Sequence, residues 1–216
     1  MKNEIYKRIL SSILLIPLSF FFIIKGSFFF TFFLIVCFLI TSYEWHMMSK
    51  RKKYYLVGYL FLFFSFVSVH ELRNNFSGDY FYLLLITIIC IATDIGGYIF
   101  GKTFKGPKLT KISPNKTYSG MIGGFFLSII FVNILINNQY FTQTKIEFTK
   151  EFFFIVLSIS AVSQLGDILI SYFKRLSKIK NTGKIIPGHG GLLDRIDGMI
   201  FAFPFFYIIL SLNIFK

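Results

Sequence analysis

The sequence predicts an all-α fold: a polytopic integral membrane helical bundle with about seven transmembrane helices and a cytoplasmic N-terminus. Three observations support this prediction. Hydrophobic residues make up 55% of the 216 residues, and the mean hydropathy is +0.66. Most of the apolar runs also approach the ~17 to 25 residues that a helix needs to cross a bilayer. Apolar runs of this length and number exclude an ordinary soluble domain.

Seven apolar runs are predicted to span the membrane, at residues 9–24, 28–45, 54–69, 80–100, 121–136, 152–173 and 193–215. No cleavable signal peptide is expected, because residues 1–8 lead into an apolar run that lacks a small-residue cleavage site. We divide the chain into an N-terminal region, 1–79, with about three spans, and a second region, 80–216. The second region carries the polar motifs and two cytoplasmic loops, 101–120 and 174–192.

The basic residues predict the orientation of the spans. If the N-terminus is cytoplasmic, 18 of the 23 lysine and arginine residues lie in cytoplasmic segments. The other five are Lys25, Arg73, Lys145, Lys150 and Lys216. Such an excess of positive charge on one side sets membrane topology. The net charge of +13 therefore has a membrane explanation, and no nucleic-acid partner is predicted. The two cysteines, Cys37 and Cys90, lie in apolar runs and indicate no disulfide framework.

One cytoplasmic connection, residues 171–197, combines cations, a glycine-bearing turn and carboxylates. Its polar and glycine positions include Lys174, Arg175, His189, Gly190, Gly191, Asp194, Arg195 and Asp197. If a helix begins near residue 192, Asp194 and Asp197 project from one face of its first turn. Paired carboxylates suit Mg²⁺, and the glycines let backbone N–H groups approach an anion. The stretch thus predicts a metal and polyphosphate site.

A structural explanation of the same residues stands beside the functional one. Aspartates at a helix start can merely stabilise the helix dipole, by ~0.3 to 1 kcal/mol. Lysine and arginine next to a span can be a topology signal alone. The combination of these features in one short stretch favours a functional site.

Two further carboxylates, Asp94 and Asp167, lie inside apolar runs, where a charge is costly and usually functional. The predicted topology places both near the cytoplasmic face, at a depth similar to that of Asp194 and Asp197. We therefore expect a polar cavity neutralised by divalent metal and by loop lysines. Within loop 101–120, phosphate, ribose or a base edge could be bound by Ser113, Asn115, Lys116 and Thr117. The spacing of Gly97 and Gly101 favours close helix packing over chemistry.

These motifs closely resemble the signature of the phosphatidate cytidylyltransferases, or CDP-diacylglycerol synthases. The resemblance rests on residues 171–175, Lys180 and residues 187–197. It extends to residues 164–167, to Asp94 with its glycines, to residues 112–117 and to the run Tyr43-Glu44-Trp45. It covers most of the chain, most firmly between Asp94 and Asp197. Asn181, Ser119 and Ile170 stand where the family pattern usually or often has an acidic residue.

The resemblance implies an enzyme of phospholipid biosynthesis, a nucleotidyltransferase that converts CTP and phosphatidate into CDP-diacylglycerol and pyrophosphate. It implies Mg²⁺ as cofactor, with room for a second cation. The implied catalytic residues are Asp167, Asp194, Asp197, Lys174, Arg175 and His189, of which the three aspartates would bind metal. The implied substrate-binding residues are Asp94, Ser113, Asn115, Lys116, Thr117, Gly190, Gly191 and Arg195.

The same resemblance implies a multi-pass protein of the cell inner (cytoplasmic) membrane, with its active site facing the cytoplasm. Phosphatidate would enter from the inner leaflet of the lipid bilayer, and a homodimer is compatible with the pattern. Two alternatives remain open. A related CTP-dependent lipid enzyme, such as a polyprenol kinase or an archaeol-type cytidylyltransferase, would share the membrane, metal and nucleotide. A secondary transporter would also carry intramembrane carboxylates, although here they cluster at one face.

Overall fold

A computed structural model of the chain describes residues 6, 13, 17–74, 80–137, 148–188 and 190–212. Its named elements are seven α-helices: α1 (Ser27–Ser49), α2 (Tyr55–Asn74), α3 (Phe81–Phe104), α4 (Tyr118–Asn137), α5 (Lys150–Leu176), α6 (Leu193–Ile196) and α7 (Met199–Ser211). Residues 17–25 are helical as well. Pairing of β type in the described ranges is limited to two isolated bridges, Lys108 with Thr117 and Ile186 with Gly190. The predicted all-α class is confirmed.

Helices α1 to α5 are each long and apolar enough to cross a membrane, and α7 is a shorter apolar helix. The chain is therefore an all-α, polytopic membrane protein, as predicted. Of the first predicted span, 9–24, the structure describes residues 13 and 17–24, and all of these are helical. The total of seven spans and the cytoplasmic N-terminus stay predictions.

The last predicted span, 193–215, does not begin at residue 193 as one helix. The single turn α6 ends at Ile196, and α7 begins at Met199. The N–H groups of Phe201 and Ala202 donate to the carbonyl of Gly198, which starts a new hydrogen-bond ladder. The prediction erred because average hydropathy merges the charged turn with the apolar helix that follows.

Contacts along the chain define two compact units. Unit 1 comprises Met1–Tyr80 and Phe173–Asp197, and unit 2 comprises Phe81–Tyr172 and Gly198–Lys216. Unit 1 thus contains α1, α2, the end of α5 and α6. Unit 2 contains α3, α4, most of α5 and α7. The division of the chain into an N-terminal region, 1–79, and a second region, 80–216, stays a prediction.

In unit 1, the end of α5 packs near the junction of α1 and α2. The ring of Trp45 lies 5.4 Å from that of Phe173, and its indole N–H donates to the carbonyl of Tyr55 at 3.0 Å. Ser177 donates its hydroxyl to the carbonyl of Met48 at 2.7 Å. These contacts fix the end of α5, and so they position the basic residues 174 and 175.

In unit 2, α3 and α4 approach each other along glycines. A Cβ on Gly96 would collide with the carbonyl oxygen of Gly123, and one on Gly120 would lie 2.6 Å from the carbonyl oxygen of Gly97. A Cβ on Gly101 would lie 3.1 Å from the hydroxyl oxygen of Thr117. Small residues let helix backbones come this close. This geometry agrees with the packing role predicted for the glycines of α3.

A single methyl group in this interface is expected to destabilise unit 2. We expect Gly96→Ala to lower the free energy of unfolding by about 1 to 3 kcal/mol, because overpacking forces the two backbones apart. The neighbouring Gly97→Ala is the matched control, since its Cβ would meet only a carbonyl oxygen at 3.8 Å. Unfolding in detergent would measure both. Equal stability of the two variants would contradict the close packing at Gly96.

Candidate active site

Unit 2 contains a polar cavity of about 270 Å³. Its walls come from α3, the connection between α3 and α4, the start of α4, and α5. The lining residues are Thr93, Asp94, Gly97, Tyr98, Leu109, Ser113, Asn115, Lys116, Thr117, Gly120, Met121, Gln164 and Asp167. The structure therefore brings together six of the predicted catalytic or substrate-binding residues, which are Asp94, Ser113, Asn115, Lys116, Thr117 and Asp167.

An ion pair joins two walls of this cavity. Lys116 Nζ lies 2.5 Å from Asp167 Oδ2, and it also donates to the carbonyl of Gln164 at 3.3 Å. Ser171 donates its hydroxyl to Asp167 Oδ1 at 3.3 Å. Both charged side chains are about one quarter exposed. The pair therefore remains reachable by an anionic or cationic ligand.

The loop that carries Lys116 owes its shape to a proline turn and a helix cap. The N–H of Lys116 donates to the carbonyl of Ser113 at 3.0 Å, so Pro114 occupies the second position of a four-residue turn, where its fixed φ is favourable. Thr117 precedes α4, and its hydroxyl accepts the N–H of Gly120 at 3.1 Å. That is the geometry of a helix N-cap. Local sequence chemistry thus delivers the polar side chains to the cavity.

Unit 1 contains a second ion pair, which is more buried. Lys174 Nζ donates to Asp194 Oδ1 at 2.8 Å, and the two side chains are 11% and 5% exposed. Asp194 Oδ2 accepts the N–H groups of Thr182 at 2.8 Å and Gly191 at 3.1 Å. The hydroxyl oxygen of Thr182 also lies 3.1 Å from this carboxylate oxygen. Oδ2 is thus saturated, and any metal would have to bind Oδ1 beside Lys174.

The environment of Asp194 keeps it ionised. Partial burial by itself raises the pKa of this carboxyl, but the hydrogen bond and charge of Lys174 and the two backbone N–H groups hold the pKa below its usual value. Asp194 lies in α6, outside the five helices long enough to span a membrane.

This depressed pKa predicts a pH-dependent contribution to stability. Ionised Asp194 stabilises the fold above its unfolded pKa of about 3.9, and that stabilisation is lost as the pH falls through the lower folded pKa. Wild type should therefore unfold at a higher temperature than Asp194→Asn at pH 7, and the difference should shrink below about pH 4. Thermal unfolding in a non-titrating detergent measures it. A difference that stays constant down to pH 3 would contradict the ion pair.

Glycines give the loop before Asp194 its tight turn. Gly188 has φ 77° and Gly190 φ 96°, values that favour residues without a side chain. Ile186 and Gly190 exchange two backbone hydrogen bonds, at 2.9 and 3.1 Å. The predicted catalytic residue His189 lies outside the described residues.

The other predicted residues occupy several environments. Arg175 is exposed and donates to the carbonyl of Ile179 at 3.4 Å, Arg195 is exposed, and Asp197 directly after α6 is half-buried. Asp167 belongs to unit 2, and Asp194 and Asp197 belong to unit 1. Among the described residues, no three histidine, cysteine, aspartate or glutamate side chains form a group that could hold a metal ion. The metal role of the three aspartates stays a prediction.

The structure adds residues that the sequence reasoning left without a role. Tyr98 and Gln164 line the cavity of unit 2. Tyr98 is four residues after Asp94, a spacing that places both on one face of a helix, so the sequence contained a usable signal. Glu44 is 1% exposed although it is charged, and it accepts hydrogen bonds from the loop that precedes Asp194.

Comparisons with known proteins match this chain to one family and to relatives of one name, over 58% to 95% of its length. The profile of the Cytidylyltransferase family matches residues 53–213. The phosphatidate cytidylyltransferase of Rickettsia typhi is 37% identical over 226 residues, which cover 95% of this chain and 92% of that protein. The phosphatidate cytidylyltransferase of Bacillus subtilis is 37% identical over 143 residues, which cover 66% of this chain and 52% of that protein. The Haemophilus influenzae enzyme of the same name is 41% identical over 129 residues, or 58% of this chain and 44% of that protein.

Proposed function

The chain belongs to the Cytidylyltransferase family, and we propose on that basis that it transfers the cytidylyl group of CTP to phosphatidate, giving CDP-diacylglycerol and pyrophosphate. The observation that carries this proposal is the similarity to the Rickettsia typhi phosphatidate cytidylyltransferase along almost the full length of both chains. The protein is accordingly a nucleotidyltransferase of phospholipid biosynthesis. The five apolar helices provide the membrane setting that a lipid substrate requires.

The reaction needs charge neutralisation more than it needs a protein nucleophile. A phosphate monoester has a second pKa of about 6, so phosphatidate is largely ionised at neutral pH. One of its oxygens attacks the α-phosphorus of CTP in line. A new phosphorus–oxygen bond forms as the bond to the pyrophosphate oxygen breaks. Cationic groups lower the barrier because they stabilise the negative charge that two anions bring together.

The cavity of unit 2 has the chemistry to hold a phosphate-bearing part of a substrate. Its volume of about 270 Å³ lies just below the ~300 to 1,000 Å³ of sites that enclose a whole small molecule. Lys116 supplies a cation, and Ser113 and Thr117 supply hydroxyl groups. Asn115 supplies an amide that can donate and accept hydrogen bonds. We assign this cavity to the polyphosphate of CTP.

We further propose that the carboxylates of the same cavity would hold a magnesium ion. Asp94 and Asp167 both line it, and Mg²⁺ commonly takes one or two carboxylates and leaves its other positions to water and phosphate. When bound, the ion would neutralise phosphate charge and orient the phosphoryl groups. Asp194 and Asp197 remain predicted ligands, and a second cation remains part of the proposal.

The basic residues of unit 1 would bind anionic groups of the substrates. Arg175 is exposed, and its planar guanidinium can hold two oxygens of one phosphate. In this conformation the ammonium group of Lys174 is paired with the carboxylate of Asp194. We therefore assign direct phosphate binding to Arg175, and we give Lys174 the role of fixing the loop. His189 keeps its predicted role as a phosphate-binding residue.

The protein is a multi-pass membrane protein, and we propose that it resides in the cell inner membrane with its active site toward the cytoplasm. The distribution of lysine and arginine supports this orientation. CTP would then arrive from the cytoplasm, and phosphatidate would arrive sideways from the inner leaflet. A homodimer is part of the same proposal.

A label on the α-phosphate of CTP tests the reaction and separates it from a CTP-dependent lipid kinase and from a transporter, while the choice of lipid separates phosphatidate from other lipid acceptors. Purified protein with Mg²⁺ and phosphatidate should move the label into the lipid fraction as CDP-diacylglycerol. A lipid kinase that uses CTP would leave the label in soluble CDP, and a transporter would leave CTP intact. Asp167→Ala, Asp194→Ala and Asp197→Ala should each abolish lipid labelling. No labelled lipid from a folded, monodisperse parent over several lipids and metals would overturn the assignment.

A further inference from the structure

A charged side chain from the first half of the chain is buried against the loop that precedes Asp194. Glu44, near the end of α1, is 1% exposed. Its Oε1 accepts the N–H of Leu192 at 2.8 Å, and its Oε2 accepts the N–H of Leu193 at 2.8 Å. The hydroxyl of Thr182 lies 2.9 Å from the same Oε2. All four residues belong to unit 1.

These contacts replace a local helix cap. Leu192 stands at the N-cap position of α6 and provides no side-chain hydrogen bond to the helix. The first N–H groups of a helix have no partner within it, and here the carboxylate of Glu44 accepts two of them. Thr182 links this carboxylate to the next one, because its hydroxyl also lies 3.1 Å from Asp194 Oδ2.

Two glycines leave room for this carboxylate. A Cβ on Gly191 would collide with Glu44 Oε2 and with the hydroxyl oxygen of Thr182. A Cβ on Gly183 would lie 2.8 Å from Glu44 Oε1. The loop is therefore closed tightly around Glu44. The Gly191 that the sequence assigned to substrate binding has its N–H on Asp194 Oδ2.

We propose that Glu44 is a positioning residue for cytidylyl transfer. Its buried carboxylate fixes Thr182 and the start of α6, and through them it sets the position of Asp194 and of the cation paired with it, Lys174. Each oxygen of this buried carboxylate accepts a backbone N–H, so an amide in its place would set its own NH₂ group against one of these donors. The loop then loses its fixed shape. This inference rests on the proposed function, since the reaction being served is the transfer from CTP.

The kinetic test compares Glu44→Gln with Glu71→Gln, a change of the same kind elsewhere in unit 1, where Glu71 pairs with its neighbour His70 at 3.7 Å. We expect Glu44→Gln to lower kcat by about 10- to 100-fold, as small displacements of catalytic groups do, and Glu71→Gln to leave it unchanged. Glu44→Asp, which keeps the charge, should recover part of the loss. In an Asp194→Asn background, Glu44→Gln should lower kcat little further, because both changes disrupt the same set of hydrogen bonds around Asp194.

A second measurement reports on the loop without using activity. In a variant with Cys37 and Cys90 replaced by alanine, a single cysteine is introduced at Ile186, which is 7% exposed, or at Leu62 in α2, which is 2% exposed. Glu44→Gln should speed thiol labelling at position 186 by several-fold and leave position 62 protected.

The two measurements separate the two proposals. Equal labelling at position 186 with and without Glu44→Gln would overturn the positioning role, and so would an equal acceleration at both positions, which would indicate general loosening. Full kcat in Glu44→Gln would overturn it as well. A parent without activity, whose loop still opens in Glu44→Gln, would overturn the proposed function instead.

Discussion

Replacing Asp167 by asparagine is expected to lower kcat/KM for cytidylyl transfer by about 100- to 1,000-fold, the usual cost of removing one preorganised electrostatic group from an active site. Asp167 pairs with Lys116 at 2.5 Å and shares the polar cavity with Asp94. Asparagine keeps the shape of the side chain and loses its charge. The measurement is steady-state formation of labelled lipid over a range of CTP concentrations, with Glu151→Gln at the start of the same helix as control.

The dependence on magnesium concentration separates two roles of Asp167. If the carboxylate binds Mg²⁺, Asp167→Asn should require more Mg²⁺ for half-maximal rate, and Lys116→Met should not. If Asp167 only orients Lys116, the two single variants should lose the same activity, and the double variant should be no worse than either. Lys111→Met, at an exposed position of the same loop, is the control for lost positive charge. Unchanged activity in Asp167→Asn would remove this residue from the site.

Hydropathy and local turn chemistry were sufficient to predict part of this arrangement. Long apolar runs predict spanning helices because backbone groups in lipid must bond within the helix. The similar depth of four aspartates, Asp94, Asp167, Asp194 and Asp197, predicted a shared polar cavity. Asp94 and Asp167 line one cavity, and a cavity shared by all four stays a prediction. The structure also ends the connecting loop with a proline turn at Pro114 and a helix cap at Thr117, so α4 begins before residue 121, where hydropathy placed the start of the span.

The contacts of Glu44 could not have been predicted in the same way. Its partners at residues 182, 192 and 193 are separated from it by 138, 148 and 149 positions. A lone carboxylate at the end of an apolar run is equally typical of an exposed membrane interface. The pairing of Lys174 with Asp194 likewise depends on a turn with positive φ at Gly188 and Gly190. The local periodicity of a sequence gives no information about contacts between residues so far apart in the chain.

Removing the cation of the buried pair in unit 1 is expected to reduce stability more than any other single change considered for this protein. Lys174→Met should lower the free energy of unfolding by about 3 to 5 kcal/mol, because it leaves Asp194 as a buried charge without its partner. The two side chains are only 11% and 5% exposed, so solvent does little to screen the loss. Unfolding in mixed detergent measures the effect, with the exposed Lys180→Met as the matched control.

The double variant distinguishes a structural pair from a catalytic one. If Lys174 and Asp194 stabilise each other, the double variant Lys174→Met, Asp194→Asn should lose less free energy of unfolding than the two single variants lose together. The reason is that no unpaired charge stays buried in the double variant. If Lys174 instead leaves Asp194 to bind substrate phosphate, Lys174→Met should unfold like Lys180→Met and still lose activity. In that case Asp194 Oδ1 would be open to a metal ion, since Lys174 would no longer occupy it. Comparing Lys174→Met with the double variant and with Lys180→Met therefore tests whether Asp194 fixes the loop or binds a magnesium ion.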